Sequence, residues 1–258
     1  MMKKEQMSIT KKESEKSILG SLLKEISWDG VKVKQYRNGG LGLENVLSTE
    51  VLQILYFLPR QHFLGEIIQA LHIDNDAIKT TLYDEIEDTQ FDLFPGDHYI
   101  FDDLLMSKNI NVQPDAFLSS ESVHALLELK RIKRGSFQKQ QLGREFYLLS
   151  KQAKSKQPLL ILIISQEPPI LVSGEGRVNP TDSIKRTLTE LFEHTTNHHL
   201  SLDEVIKQVD QSVAWITWNE IEDIIKRQMI NYESENISEM KSIDRLCKAL
   251  LGAIERHR

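Results

Sequence analysis

Residues 112–135 read VQPDAFLSSESVHALLELKRIKRG, and three of their side chains carry chemistry: Asp115, Glu128 and Lys130. In a strand successive side chains alternate between faces, so Glu128 and Lys130 point one way while Leu127 and Leu129 point the other. A hairpin of VQPDAF and SVHALLELK, turning at LSSES, would bring Asp115 across from Glu128 or Lys130. Unpaired charges held away from water cost several kcal/mol each. A divalent metal removes that difficulty for two carboxylates, and Mg²⁺ takes carboxylate oxygens and keeps waters, one of which can be activated for attack on phosphorus. Lys130 would then orient the nucleophile or offset charge developing on a phosphate.

The surrounding elements must position these groups. Residues 48–73, STEVLQILYFLPRQHFLGEIIQALHI, predict two helices separated at Pro59. Residues 109–120 predict one strand and 122–132 its partner. SFQKQQLGREFYLLSKQ, 136–152, predicts a helix with Phe137, Leu142, Phe146 and Leu149 recurring near helical spacing. QPLLILIIS then reads as a strand buried on both faces, of the parallel kind. Beyond the loop QEPPILVSGEGRVNP come two helical segments, a strand at 212–217, and capping boxes opening at Ser201 and Thr217. The expected architecture is one α/β domain with a mixed central sheet. It comprises an N-terminal extension (1–47), a core (48–178), and C-terminal helices (179–258) whose strand extends the same sheet. The N-terminal extension carries a short amphipathic stretch, SILGSLLKEISW, and a candidate strand, VKVKQY.

Pro114-Asp115, a spacer, and then Glu128-Leu129-Lys130, on strands followed by a helix and an apolar strand, resemble the PD-(D/E)XK nuclease superfamily. The resemblance covers roughly residues 50–172 and implies a restriction-endonuclease-like core of helix, three strands, helix and strand. It also implies that Asp115, Glu128 and the main-chain carbonyl of Leu129 are metal ligands, with Lys130 the catalytic lysine. An acid from the first core helix would join them, best matched by Glu66 and next by Glu50. Gln141 would correspond to a glutamine on the helix after the lysine, with Gln140 and Arg144 as less certain neighbours. The implied activity is Mg²⁺-dependent hydrolysis of DNA phosphodiester bonds, Mn²⁺ being an alternative cation, in a prokaryotic restriction, defence or repair setting. RNA stays open as a substrate and a homodimer as the assembly. Two rivals stand beside this reading: a nuclease-like module that binds nucleic acid or a protein without cutting, and an α/β interaction protein with no nucleic-acid role.

Charge supports a polyanionic partner only locally. The chain of 258 residues has net charge −6, yet residues 130–156 hold nine bases and one acid, so the remainder must carry −14. Arg131, Lys133, Arg134, Lys139 and Arg144 are the candidate phosphate contacts in this segment. No apolar run exceeds the six residues 159–164, far short of the ~20 that span a bilayer. The N-terminal lysines lack an apolar segment behind them, and Cys247 stands alone, so the expected home is the cytoplasm.

Several other residues read as structural. His194 and His198, four apart and without a neighbouring Cys, read as a solvated helix end rather than a zinc site. His124, on the face of Glu128 and Lys130, reads as a partly buried structural histidine rather than a substrate or ligand contact; Trp215, Trp218 and Cys247 read as core groups, and a second Glu-X-Lys, Glu239 to Lys241, falls in a helical pattern where its two side chains share no face.

Overall fold

The computed structural model describes residues 44–100, 110–133, 135–193 and 201–258. In chain order the elements begin with α1 (Glu44–Phe57), α2 (Leu64–Gln69), α3 (Asp76–Asp84), β1 (Gln90–Leu93), β2 (His98–Tyr99), β3 (Asn111–Val112), β4 (Ala116–Ser119) and β5 (Val123–Leu129). They continue with α4 (Gln141–Ala153), β6 (Gln157–Ile164), β7 (Ile170–Val172), β8 (Gly176–Val178), α5 (Pro180–Glu193), α6 (Leu202–Ser212), β9 (Val213–Thr217), α7 (Trp218–Asn231) and α8 (Ile237–Arg256).

A five-stranded sheet of order β1-β4-β5-β6-β9 forms the centre. β1, β4 and β5 are antiparallel neighbours, whereas β6 lies parallel to both β5 and β9. The protein is therefore α/β with a mixed sheet. Burial of both faces explains why β6 carries apolar side chains almost throughout. Leu159, Ile161 and Ile163 join Leu127 and Leu129 in one core with α1, α2, α3, α7 and α8. Leu160, Leu162 and Ile164 join Leu126 in a second core with α4, α5 and α6. Gly143 lets α4 and α5 touch, since a Cβ there would lie 2.3 Å from the Thr187 Cβ.

The break at Pro59, the β4–β5 hairpin, the parallel β6, the added β9 and both capping boxes follow the sequence pattern. Five features differ. The single strand expected over 109–120 is two, because Pro114 has no N–H for a ladder and the Asp115 carboxylate takes over the next bond. The helix expected from Ser136 begins at Gln141, and Phe137 instead pairs with Val172 in an isolated bridge. The expected loop 166–180 contains the β7–β8 hairpin, and β1 lies in the acidic residues 83–97, ahead of the first expected strand. α1 starts at Glu44, ahead of Ser48. The stretches SILGSLLKEISW and VKVKQY, Arg134, and the histidines 194, 198 and 199 lie outside the described residues. No helix among the described residues is long and apolar enough to cross a membrane.

Candidate active site

Asp115 sits one residue before β4, and the register pairing Ala116 with Leu127 sets it level with Glu128 just past the last rung of the ladder. Its main-chain carbonyl accepts from the Phe94 N–H at 2.9 Å, and its Oδ2 accepts from the Leu129 N–H at 2.8 Å. The aspartate thus replaces a ladder bond to β5 and is held at two points. In a strand the N–H and C=O of one residue face the same edge, so the Leu129 carbonyl is directed toward Asp115 as well.

Lys130 follows β5. Its N–H donates to the Ile163 carbonyl at 2.8 Å and its carbonyl accepts from the Trp218 indole N–H at 2.7 Å, which locks its backbone between β6 and the start of α7. The ammonium lies 2.6 Å from Glu128 Oε1 and 2.7 Å from Glu44 Oε1, and 5.1 Å from the centre of the Phe137 ring. Gly135 permits the tight return after the lysine, because a Cβ there would stand 2.8 Å from the Arg131 carbonyl oxygen.

From α4, Gln141 donates to Glu128 Oε1 at 2.5 Å and to Glu145 Oε1 at 2.8 Å. Asp115, Glu128 and Lys130 are only 8, 3 and 5% exposed, and Glu145 is buried beside them. Burial, then the Glu128 charge, pushes the Asp115 carboxyl well above the ordinary aspartate range, against the Leu129 N–H. Burial raises Glu128 too, opposed chiefly by the Lys130 charge. Glu145 is driven well up by burial and by Glu128. Burial works against the Lys130 ammonium, but Glu128 and Glu44 outweigh it and hold the lysine charged.

Among the described residues, Asp115, Glu128 and Glu145 are buried, and with partly exposed Glu44 they surround one ammonium. The Asp115 and Glu128 carboxylates and the Leu129 carbonyl form an all-oxygen donor set of the kind that suits a hard divalent cation. Among the described residues no three acidic or imidazole side chains are arranged as a ready metal group. The Lys130 ammonium bridges Glu128 and Glu44 instead, so a cation would compete with it for Glu128.

Glu66 departs from expectation. It accepts from Gln228 at 3.0 Å and faces Arg227 at 3.7 Å, both on α7, because α2 packs there. Glu50 engages Arg256 and His257 on the C-terminal segment. The carboxylate from the first described helix that reaches Lys130 is Glu44. The basic run also divides: Arg131 and Lys133 are exposed near the lysine, and Lys139 lies 3.9 Å from Glu175. Arg144 donates to Gln140 and is partly desolvated, which lowers its pKa. Lys151 and Lys156 are spent at the other end of α4, on the Ile100 carbonyl and the Ser119 hydroxyl.

His124 stacks on Phe117, Trp218 is fully buried, and Trp215 stacks on His72 at 4.0 Å. Burial pushes the Cys247 thiol up to about 11, and Glu239 is bonded to Tyr232 and Ser234. A cleft of about 350 Å³ opens at the C-terminal ends of β5 and β6, with Lys130 in its wall. No protein-family model, curated protein or solved structure matches the chain.

Proposed function

We propose that the chain is a PD-(D/E)XK-type nuclease that hydrolyses DNA phosphodiester bonds with a divalent cation, Mg²⁺ or Mn²⁺. One observation carries the reading: Asp115, Glu128, Lys130 and Gln141, drawn from two hairpin strands and the next helix, meet in one buried cluster. Burying four charges and polar groups together has no structural need, since apolar residues of similar volume are often as stable or more so. Perturbed carboxyls grouped beside a cleft are the usual mark of a reactive site.

Asp115, Glu128 and the Leu129 carbonyl would hold the cation, which when bound offsets phosphate charge and lowers the pKa of a water. Gln141 orients Glu128 and keeps one of its lone pairs occupied. The Leu129 N–H fixes the Asp115 carboxylate. Lys130 presents a permanently charged donor able to bond a non-bridging phosphate oxygen or orient the attacking water. Arg131, Lys133 and Lys139 are exposed around it and able to meet flanking phosphates, with partly desolvated Arg144 behind them.

Incubation of the purified protein with Mg²⁺ or Mn²⁺ and supercoiled, linear or single-stranded DNA tests this. Metal-dependent cutting is expected, falling by about a hundredfold or more in Lys130→Ala and Asp115→Asn. No cutting of any form, or equal cutting by the variants, refutes it. A nuclease-like module that binds without hydrolysis draws support from the ammonium already neutralising Glu128 and Glu44. Salt-sensitive binding without cutting selects that second reading.

A further inference from the structure

The cleft beside Lys130 has walls of unlike origin. One is formed by Ile132, Lys133, Gly135 and Phe137, and the other by the end of β6 with the β7–β8 hairpin. Among the described residues Lys130, Lys133 and Arg177 line it and no carboxylate does, although the chain as a whole is acidic. Lys130 is committed to Glu128 and Glu44. Lys133 and Arg177 are exposed. Arg177 donates to the Pro169 carbonyl at 2.8 Å and to Gln166 Oε1 at 2.7 Å, which orients its guanidinium and leaves three of its five N–H groups unassigned by those bonds.

The hairpin is fastened in place. Phe137 N–H donates to the Leu171 carbonyl and Ser173 N–H to the Phe137 carbonyl, both at 2.9 Å. Glu175 at the turn is bracketed by Arg186 at 2.9 Å and Lys139 at 3.9 Å. The lip of the cleft carries exposed apolar Leu171. A rigid recess with a cationic lining and an apolar lip is matched by a ligand with an anionic chain and apolar or aromatic faces.

Size narrows the choice. A volume of about 350 Å³ is that of a cube about 7 Å on edge, smaller than the cross-section of a duplex whose major groove alone is ~12 Å wide, so the recess does not enclose paired strands. The nearly buried Lys130 lines this recess.

We propose that the cleft is a subsite for one unpaired nucleotide flanking the reacting phosphate, with Lys133 and Arg177 on its phosphate and Leu171 against its base or sugar. The substrate class is then a single strand, a frayed end or an extruded nucleotide. This rests on the nuclease reading above.

Fluorescence anisotropy of a labelled single-stranded oligonucleotide and its duplex, with the full chain in EDTA, tests it. The single strand is expected to bind more tightly. Lys133→Ala/Arg177→Ala should weaken it by about tenfold and lower the slope of log affinity against log salt by about 0.7, the value for the one phosphate that both cations meet. A pair of equal charge loss, Lys154→Ala/Arg245→Ala, should leave both unchanged. Tighter duplex binding, no single-strand binding, or a Lys133→Ala/Arg177→Ala protein that binds like the parent overturns the subsite. Cutting in Mg²⁺ is read separately. Single-strand binding lost in that pair but without cutting by the parent sinks the nuclease reading alone, and cutting that ignores the pair sinks the subsite alone.

Discussion

Lys130→Met removes the ammonium that pairs with Glu128 and Glu44 while keeping most of the apolar stem. Breaking a buried ion pair by deleting one partner costs about 3–5 kcal/mol, since the survivor stays charged and dry. Glu44, with a side chain 26% exposed, can turn to water and contributes little to that loss. Glu128, at 4%, has no such escape. The cost should therefore fall near the low end, about 3 kcal/mol at pH 8. Glu128 is already raised by burial, and without the ammonium it rises further. A carboxyl whose folded pKa exceeds its unfolded value takes up a proton on folding. Its favourable contribution is complete below the unfolded value, about 4.3 for Glu, and is lost as pH climbs through the folded one. Asp115, Glu128 and Glu145 impose such a decline on the parent as well, and the variant enlarges the share due to Glu128. Urea unfolding in EDTA should show the variant's deficit shrinking from pH 8 to pH 5, and Lys130→Met/Glu128→Gln should recover about 1 kcal/mol or more at pH 8. A deficit under about 1 kcal/mol at pH 8, or one that grows at pH 5, refutes the buried-pair reasoning.

Gln141→Ala frees Glu128 and Glu145 from their shared donor, and should cost about 1–3 kcal/mol by urea unfolding and slow DNA cutting while substrate affinity holds. Gly143→Ala drives a methyl into Thr187, so unfolding should show a loss of about 1–3 kcal/mol, partly recovered by adding Thr187→Gly. Thr217→Ala deletes the hydroxyl that accepts from Glu220 N–H at the head of α7, and should lower stability by about 1 kcal/mol in the same assay.

Much of this frame was legible in local pattern. Alternation set Glu128 and Lys130 on one face of β5, the uninterrupted apolar run marked β6 as buried on both sides, and Ser201 and Thr217 announced two helix starts. Asp115 was placeable because a short turn after β4 leaves few registers for the hairpin. Glu44 was not, since it precedes the apolar periodicity of α1, and which helix end overhangs a sheet depends on packing between distant segments. Glu66 has the right residue type on an amphipathic helix, yet the docking of α2 against α7 turns it to Gln228 and Arg227. Glu145 did leave a trace. It is the sole acid among nine bases and lies one turn after Gln141, on the same helix face. The β7–β8 hairpin was hidden by its three-residue strands, whose partner is a loop segment rather than the sheet.

Calorimetric titration of Mn²⁺ into the metal-free protein addresses the cluster itself, independently of any substrate. The account expects one site in the parent, lost or weakened by at least about tenfold in Asp115→Asn and in Glu128→Gln, and retained in Glu66→Gln. Binding that is absent from the parent, or that survives in the first two and disappears in Glu66→Gln, contradicts it.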